Sequence, residues 1–261
     1  MPGEEPKEIV ISAHVCHPSL CNDNLSSIAV ATGLARELAQ RSRRRFSYRF
    51  IFAPGTIGAI TWLARNRDVV PSIHAGLVLS CLGDASSFTY KRTVSGTTTI
   101  DRAAAIVLRD RKSGDHVIDF FPYGYDERQY NSPGFRAPVG CLMRGRHGEF
   151  PEYHTSADDL SFVSPERLAE SLEVMLDIID VIEADRRYVN LAPHGEPQLG
   201  ARGLYRAAGG TAIPDLTLAM LWVLTLSDGQ HSLLDIADRS ALPFASISTA
   251  ADLLHSAELL G

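Results

Sequence analysis

The stretch Glu8-Ile-Val-Ile-Ser-Ala-His14 is a short apolar run rich in β-branched residues, and it predicts a buried strand. Residues 24–40 follow it with apolar side chains at helical spacing, which predicts an amphipathic helix. Tyr48-Arg-Phe-Ile-Phe-Ala53 is the next predicted strand, and it ends at Pro54-Gly55. This order of strand, helix and strand is the unit from which we predict the rest of the fold.

The same alternation of strands and helices continues as far as residue 188. Further strands are predicted at 74–81, 87–93, 117–123 and 137–143, with 87–93 exposed, and further helices at 56–66, 98–112 and 164–188. The alternation predicts an α/β fold, a mostly parallel sheet with helices on both faces. In such sheets ligands bind beyond the carboxyl ends of the strands, and the residues predicted to lie there are His14, Gly55, Cys81 and Asp84.

The C-terminal part of the chain is predicted to form a separate small domain. Residues 190–203 are rich in Pro and Gly, so we predict an α/β domain at 1–190, a linker at 191–213 and a helical winged-helix-type domain at 214–261. Residues 211–261 carry six acidic side chains against a single arginine, Arg239. Because a module that reads DNA needs the opposite charge, we predict that this domain packs against or contacts protein.

Composition excludes several classes of function. The 261 residues are 45% hydrophobic and 21% charged with a net charge of −6, which favours a folded protein and disfavours one that binds polyanions. No stretch approaches the roughly 18 apolar residues of a membrane helix, and the polar N-terminus does not resemble a signal peptide. The four cysteines are widely spaced without a CxxC pair, which predicts reduced thiols. We therefore predict a cytoplasmic protein without nucleic-acid or membrane partners.

Two stretches carry the residues of a metal site. His14-Val-Cys-His-Pro-Ser-Leu-Cys-Asn-Asp-Asn-Leu-Ser26 places two histidines and Asp23 within ten residues. The second stretch, Glu149-Phe-Pro-Glu-Tyr-His-Thr-Ser-Ala-Asp158, places His154 in a loop ahead of a long helix. Imidazole and carboxylate groups suit zinc, and a catalytic zinc commonly takes three protein ligands and a water molecule. Taken together, the two stretches predict a metal site.

These stretches also carry a resemblance to a known family. Ala13-His14 with Asn22-Asp23-Asn24-Leu-Ser, and Tyr153-His154-Thr155 with Asp158, resemble the motifs of the zinc aminopeptidases of peptidase family twenty-eight. The chain is more similar to a bacterial aminopeptidase-like subfamily with a C-terminal winged helix. The resemblance implies a zinc exopeptidase-like fold in which His14 and His154 bind zinc. It also implies that Asp23 is the carboxylate that bridges the two ions of two-zinc relatives.

The chain departs from the family pattern at several positions. The resemblance implies a general-base glutamate after the second strand, where this sequence has Gly55, and a ligand glutamate where it has Thr56. Cys81 stands at the place of a ligand aspartate, and either it or Asp84 could complete a site. Cys16 replaces the aspartate that orients the first histidine. A single zinc held by His14, Asp23 and His154 is the most economical interpretation.

The leading functional hypothesis is a zinc-dependent, aminopeptidase-like hydrolase of a peptide or amide small molecule, impaired because Gly55 cannot move a proton. Asp126 and Glu152 are the candidate catalytic residues, with Glu149 beside them. The structural alternatives are a turn residue for Asp126 and a solvated loop for the two glutamates. The functional alternative is a catalytically inactive metal-binding or scaffold descendant of the family. The acidic C-terminal domain disfavours a third hypothesis, a transcriptional regulator.

The N-terminal end of the chain leads to one more expectation. The resemblance implies that relatives carry a further N-terminal segment and a β-rich insertion ahead of the first zinc histidine. Only about 13 residues precede His14 in this sequence. We expect a shortened form or a fragment, or a homo-oligomer or partner polypeptide that supplies the missing elements.

Overall fold

The structure, a computed structural model, describes residues 1–204 and 215–261. The chain divides into two compact units, Met1–Glu183 and Ala184–Gly261. The linker predicted at 191–213 falls partly on residues 205–214, which lie outside the described residues, so the predicted domain boundaries stay a prediction. Within the described residues, no helix is both long enough and apolar enough to cross a membrane.

The first unit is built on a six-stranded sheet in the order β2-β1-β3-β6-β4-β5. Its strands are β1 (Glu8–His14), β2 (Ser47–Ala53), β3 (Ile73–Ser80), β4 (Thr89–Lys91), β5 (His116–Ile118) and β6 (Val139–Met143). β1 pairs in parallel with β2 and β3, β3 pairs in parallel with β6, and β4 runs antiparallel to β6. The prediction of a mostly parallel α/β sheet is confirmed.

Helices supply the apolar side chains that cover this sheet. They are α1 (Ser27–Gln40), α2 (Ile57–Arg65), α3 (Thr99–Arg111), the short α4 (Glu127–Tyr130) and α5 (Pro165–Ala184). α1 buries Val30, Leu34 and Leu38, which helical spacing places on one face. In one core cluster, Leu63 of α2 packs with Val10 and other apolar residues of the parallel strands. Because helices cover both faces of the sheet, the residues of β1 after Glu8 are all buried.

The prediction that the strand at 87–93 is exposed is wrong. β4 is the part of this segment that forms a strand, and all three of its residues are buried. The reason is its place in the sheet, because β4 lies between β6 and β5 and therefore has no free edge. A sequence of polar and aromatic residues cannot reveal that neighbours cover both sides of a strand.

In the second unit, the described residues form three α-helices and a two-stranded sheet. β7 (Arg187–Val189) and β8 (Asp228–Ser232) pair antiparallel, and the helices are α6 (Asp215–Leu226), α7 (Leu233–Ser240) and α8 (Phe244–Ser256). Three helical segments separated by short breaks, at 216–226, 232–240 and 243–260, are the basis of the winged-helix prediction. The two short strands were not predicted, because β8 is the polar run Asp-Gly-Gln-His-Ser without alternating apolar residues. The arrangement is that of a winged helix-turn-helix domain.

The parallel strands of the first unit bring their carboxyl ends to one edge of the sheet. His14 is the last residue of β1, and Gly55 follows β2 by two residues. Cys81 directly follows β3. Because these ends lie side by side, residues far apart in sequence can meet at this edge.

Candidate metal centre

The carboxylate of Asp23 is surrounded by three histidines. His14 Nε2 lies 2.8 Å from Asp23 Oδ1, and His154 Nε2 lies 3.0 Å from Asp23 Oδ2. His17 Nδ1 lies 3.7 Å from the same Oδ2. The Asp23 side chain is 3% exposed and that of His14 is fully buried, whereas His154 is 46% exposed. The structure therefore brings the predicted His14, Asp23 and His154 together, with one side of the cluster open to solvent.

The turn Cys21–Ser26, which carries Asp23, is held against the end of β3 by polar side chains at every second position. Asn22 Oδ1 and Asn24 Oδ1 accept hydrogen bonds from backbone amides at 2.8 and 3.1 Å, and Ser26 Oγ accepts one at 3.0 Å. The three donors are the successive amides of residues 81–83. The Asn-Asp-Asn-Leu-Ser motif thus satisfies a buried stretch of backbone and fixes the position of the aspartate between the two asparagines.

Asp158 joins the two motif-bearing stretches. Its Oδ1 accepts the backbone N–H of Asn22 at 2.5 Å, and its Oδ2 accepts the N–H of Asp23 at 2.9 Å. The carboxylate is buried, and the residue lies four positions after His154. Charge-assisted hydrogen bonds of this kind are stronger than neutral ones. Asp158 therefore ties the loop that carries His154 to the turn that carries Asp23.

The electrostatics of the cluster favour an ionised carboxylate. Burial by itself would raise the pKa of Asp23. The hydrogen bond from His14 and the charges of His14, His17 and His147 outweigh burial and hold that pKa below its usual value. The cluster therefore offers an anionic oxygen beside imidazole nitrogens.

The donor set fits a divalent metal ion of the zinc type. His17 Nδ1 is buried and has no hydrogen-bond partner among the described residues. A ring nitrogen of His17, an Asp23 oxygen and a His154 nitrogen all lie within 4.8 Å of one another. An unsatisfied buried nitrogen is costly, and two imidazoles with one carboxylate are ligands that zinc accepts. His17 was not among the predicted ligands, although it lies in the same motif three residues after His14.

A second group of metal-binding type overlaps the first. It contains His14, Cys16 and His17, whose ligand atoms also lie within 4.8 Å of one another. Cys16 is exposed, and its Sγ lies 2.6 Å from the hydroxyl of Tyr125. Only His17 belongs to both groups, so the two describe one neighbourhood around a shared imidazole.

Tyr125 occupies the space of the missing glutamate. A Cβ atom built on Gly55 would overlap the Tyr125 ring and hydroxyl. The ring packs against His14 with 4.1 Å between ring centroids. Burial, and then the hydrogen bond with Cys16, raises the pKa of the Tyr125 hydroxyl, so it stays protonated at neutral pH. A neutral phenol therefore lies where a side chain of residue 55 would extend.

Two of the other predicted residues serve the scaffold. Burial, and then the charge of Asp23, raises the pKa of the Cys81 thiol well above its ordinary value. Asp84 Oδ2 accepts hydrogen bonds from Asn22 Nδ2 at 2.8 Å and from the Gly145 amide at 3.1 Å. Among the described residues, the groups of metal-binding type contain neither Cys81 nor Asp84.

The candidate catalytic carboxylates differ in their surroundings. Asp126 is buried, its Oδ1 accepts the Thr56 N–H at 2.6 Å, and burial raises its pKa. Glu149 is exposed and lies 3.7 Å from an Arg146 nitrogen. Glu152 is half-buried in the loop of His154. Their catalytic roles stay predictions.

Sequence analysis also passed over His147 and Ser80. His147 Nε2 lies 2.8 Å from Ser80 Oγ, and burial lowers the pKa of the imidazole. Ser80 ends β3, and His147 comes four residues after β6. The signal that could have found them is their position, because both lie at the carboxyl ends of parallel strands.

Comparison with known proteins assigns the family. Residues 1–185 match a domain of unknown function, DUF4910, and residues 186–261 match a winged helix-turn-helix. The chain belongs to the DUF4910 family. It is 50% identical over 259 residues to a Clostridium acetobutylicum protein that is named for polysaccharide biosynthesis and an aminopeptidase-like domain. That alignment covers 99% of this chain and 59% of the relative.

Solved structures relate the DUF4910 chain to peptidases. A crystal structure described as that of a peptidase from Clostridium acetobutylicum matches with a TM-score of 0.93 and 47% identity, over 100% of this chain and 58% of that one. The zinc aminopeptidase BSAP from Bacillus subtilis matches with a TM-score of 0.57 and 19% identity, over 67% of this chain and 45% of that one. The BSAP likeness shows a shared fold alone. The DUF4910 chain thus has an aminopeptidase-like fold and spans less than two thirds of the length of these relatives.

Proposed function

We propose that this protein is a zinc-dependent hydrolase of peptide or amide bonds, of the aminopeptidase type. The observation that carries the proposal is the Asp23 carboxylate with three histidines around it, one of which has a buried nitrogen without a hydrogen-bond partner in the described part of the chain. The likeness to proteins described as a peptidase and as carrying an aminopeptidase-like domain supports the same reaction class.

The residues of the cluster suggest a division of roles. Asp23 and the histidines would hold the ion, which when bound polarises a carbonyl group and lowers the pKa of water to about 7. The neutral Tyr125 hydroxyl can donate a hydrogen bond beside the cluster. Of the two candidate proton acceptors, Glu152 is half-buried two residues before His154, and Asp126 is buried with its carboxylate bonded to the Thr56 amide. A general base contributes roughly 100- to 10,000-fold to the rate.

The second candidate function is a metal-binding protein without hydrolytic activity. Tyr125 favours it, because the ring fills the space in which a glutamate at position 55 would lie. Such a protein would keep the cluster of histidines and lose proton transfer. The two candidates share the zinc site and differ only in turnover.

One experiment tests the zinc site and separates the two functions. Zinc is quantified in the purified full chain, and hydrolysis of a panel of aminoacyl anilides and amides is measured before and after removal of metal with a chelator. We expect bound zinc, hydrolysis that the chelator abolishes, and restoration by added zinc. His154→Ala should lose both. Zinc without hydrolysis of any member of the panel would leave the metal-binding function, and hydrolysis that survives the chelator would refute zinc dependence.

The same features suggest the substrate class, the cellular compartment and the partners of this protein. The substrate would be a peptide or a small amide, and the four free cysteines suit a reducing, cytoplasmic compartment. The winged helix-turn-helix domain would contact protein, because acidic side chains predominate in its sequence.

A further inference from the structure

The segment 119–125, which connects β5 to α4, reaches the metal centre without regular secondary structure of its own. Among the described residues, its backbone makes no hydrogen bond to another backbone group. Tyr125 in this segment nevertheless has a defined position. Its ring packs on His14 with 4.1 Å between ring centroids, and its hydroxyl lies 2.6 Å from Cys16 Sγ. The support of segment 119–125 therefore comes from side chains.

A buried ion pair supplies this support. The Lys91 ammonium contacts the Glu127 carboxylate, and the two side chains are 4% and 0% exposed. Lys91 Nζ also donates to the backbone carbonyls of Phe121 at 3.3 Å and of Tyr123 at 2.9 Å. The Glu127 carboxylate accepts the backbone N–H of Tyr125 at 3.1 Å. The pair thus binds the backbone of segment 119–125 at every second residue from 121 to 125.

The bonding capacity of the lysine is fully used in this arrangement. An ammonium group has three N–H donors, and that of Lys91 has three acceptors, which are the Glu127 carboxylate and the two backbone carbonyls. The segment also passes directly over the pair. A Cβ atom built on Gly124 would overlap both the carboxylate and the ammonium group, so residue 124 has no room for a side chain.

A gain in stability is a poor explanation for this pair. Removing two charges from water is costly, and replacing a buried ion pair by apolar side chains of similar volume is often neutral or stabilising. What Lys91 and Glu127 provide is directional, because each of their hydrogen bonds fixes one backbone group of the segment that carries Tyr125.

We propose that Lys91 and Glu127 are positioning residues, which act through the backbone of segment 119–125 to hold Tyr125 against the metal centre. The inference rests on the proposed function, in which the Tyr125 hydroxyl donates a hydrogen bond beside the cluster. A displacement of about 1 Å at a reacting site can cost about 100-fold in rate. Loss of the pair should therefore reduce turnover through the displacement of one side chain.

The test replaces both charges together, so that neither is left alone in the interior. Lys91→Met combined with Glu127→Leu removes every side-chain hydrogen bond from the pair to segment 119–125 and approximately keeps the side-chain volume. We expect this paired variant to unfold in urea in one cooperative transition, as the wild type does. The matched control is Asp119→Asn, because Asp119 lies in the same connection, is 99% exposed and faces Arg92 Nε at 3.8 Å.

The position of Tyr125 is measured by fluorine NMR on protein that contains 3-fluorotyrosine in place of tyrosine. Tyr125→Phe identifies the Tyr125 resonance as the one that disappears. We expect this resonance to move towards the position of unfolded fluorotyrosine in the paired variant, and to stay within its linewidth in Asp119→Asn. Glu127→Asp keeps both charges and shortens one side chain, so it should move the same resonance less, and it replaces the paired variant if that variant does not fold. An unmoved resonance in a folded variant would overturn the inference.

Hydrolysis provides the second measurement. The paired variant should keep the zinc content of the wild type and lose up to about 100-fold in kcat. In a Tyr125→Ala background the same replacement should change kcat by no more than about twofold, because residues that act through one another have non-additive effects. Equal losses of kcat with and without the Tyr125 side chain would overturn the inference, since the pair would then act elsewhere.

The outcomes separate this inference from the proposed function. If the wild type hydrolyses no member of the substrate panel, the hydrolase fails. The fluorine resonance then still decides the inference, because it requires neither zinc nor turnover. Hydrolysis that a chelator abolishes, but that the paired variant retains in full, would overturn the positioning role and leave the hydrolase standing.

Discussion

Gly55 offers a sharp test of how the site is packed. Its backbone φ lies outside the left-handed region, so alanine is sterically allowed by the backbone, but the added Cβ would overlap the Tyr125 ring. We predict that Gly55→Ala forces this ring to move. The ring would then give up its packing on His14 and the hydrogen bond with Cys16, two of the contacts that hold it.

The cost can be worked from these contacts. An aromatic pair and a hydrogen bond each contribute roughly 0.5–1.5 kcal/mol, so Gly55→Ala should lower the free energy of unfolding by about 1–3 kcal/mol. In a Tyr125→Ala background the overlap is gone, and the lower chain entropy of alanine when unfolded should make the same change neutral or stabilising by about 0.4–1 kcal/mol. The coupling between the two positions is therefore expected to be about 1–4 kcal/mol.

The assay is urea unfolding followed by the fluorescence of Trp62 in a Trp222→Phe background, so that only the first unit reports. Gly134→Ala is the control, because a Cβ there meets open space and its φ is also outside the left-handed region. An equal cost of Gly55→Ala with and without Tyr125 would refute the reasoning. If the reasoning holds, Gly55→Glu alone does not restore a base, since the carboxylate competes with the ring for one space.

Three further predictions concern the supports of the site. Glu127→Ala should cost about 3–5 kcal/mol in urea unfolding, because it leaves the buried Lys91 cation with backbone carbonyls but without the carboxylate that neutralises it; a cost below about 1 kcal/mol would contradict this. Burial raises the pKa of Asp126, and this effect outweighs the lowering by the Thr56 amide and His14. The stability that Asp126 contributes is therefore complete below the pKa of the unfolded chain, and it is lost as the pH rises through the pKa of the folded protein. Asp126→Asn should therefore stabilise the protein at pH 7 and have no such effect at pH 3, and equal effects at both would exclude this cause. Asp158→Asn should weaken zinc binding about 10- to 100-fold in a chelator titration, since it disturbs the bonds that hold Asp23; an unchanged Kd would show that the turn is fixed by other groups.

Much of the fold could be predicted because its signals are local. The β-branched run at β1 and the helical spacing of α1 are properties of consecutive residues, and they survive in the folded chain. The burial of β4 and the polar strand β8 could not be predicted, because both depend on strands that are distant in sequence. The strand with which a segment pairs and the residues that cover it lie far away in the sequence, so a short window of sequence does not contain them.

The sequence by itself determined the α/β alternation, the acidic character of the C-terminal domain, and the choice of His14, Asp23 and His154 as candidates for one site. Local patterns of residue types were sufficient for the first two, and the resemblance of two distant motifs to the zinc aminopeptidases supplied the third. Only the tertiary structure decided what each group does. Tyr125 fills the space beside Gly55 from 70 positions away, and backbone groups of β3 and of the residue after it hold the Asn24 side chain beside Asp23. Protonation and free volume depend on which atoms meet in space, and those contacts exist only once the chain has folded.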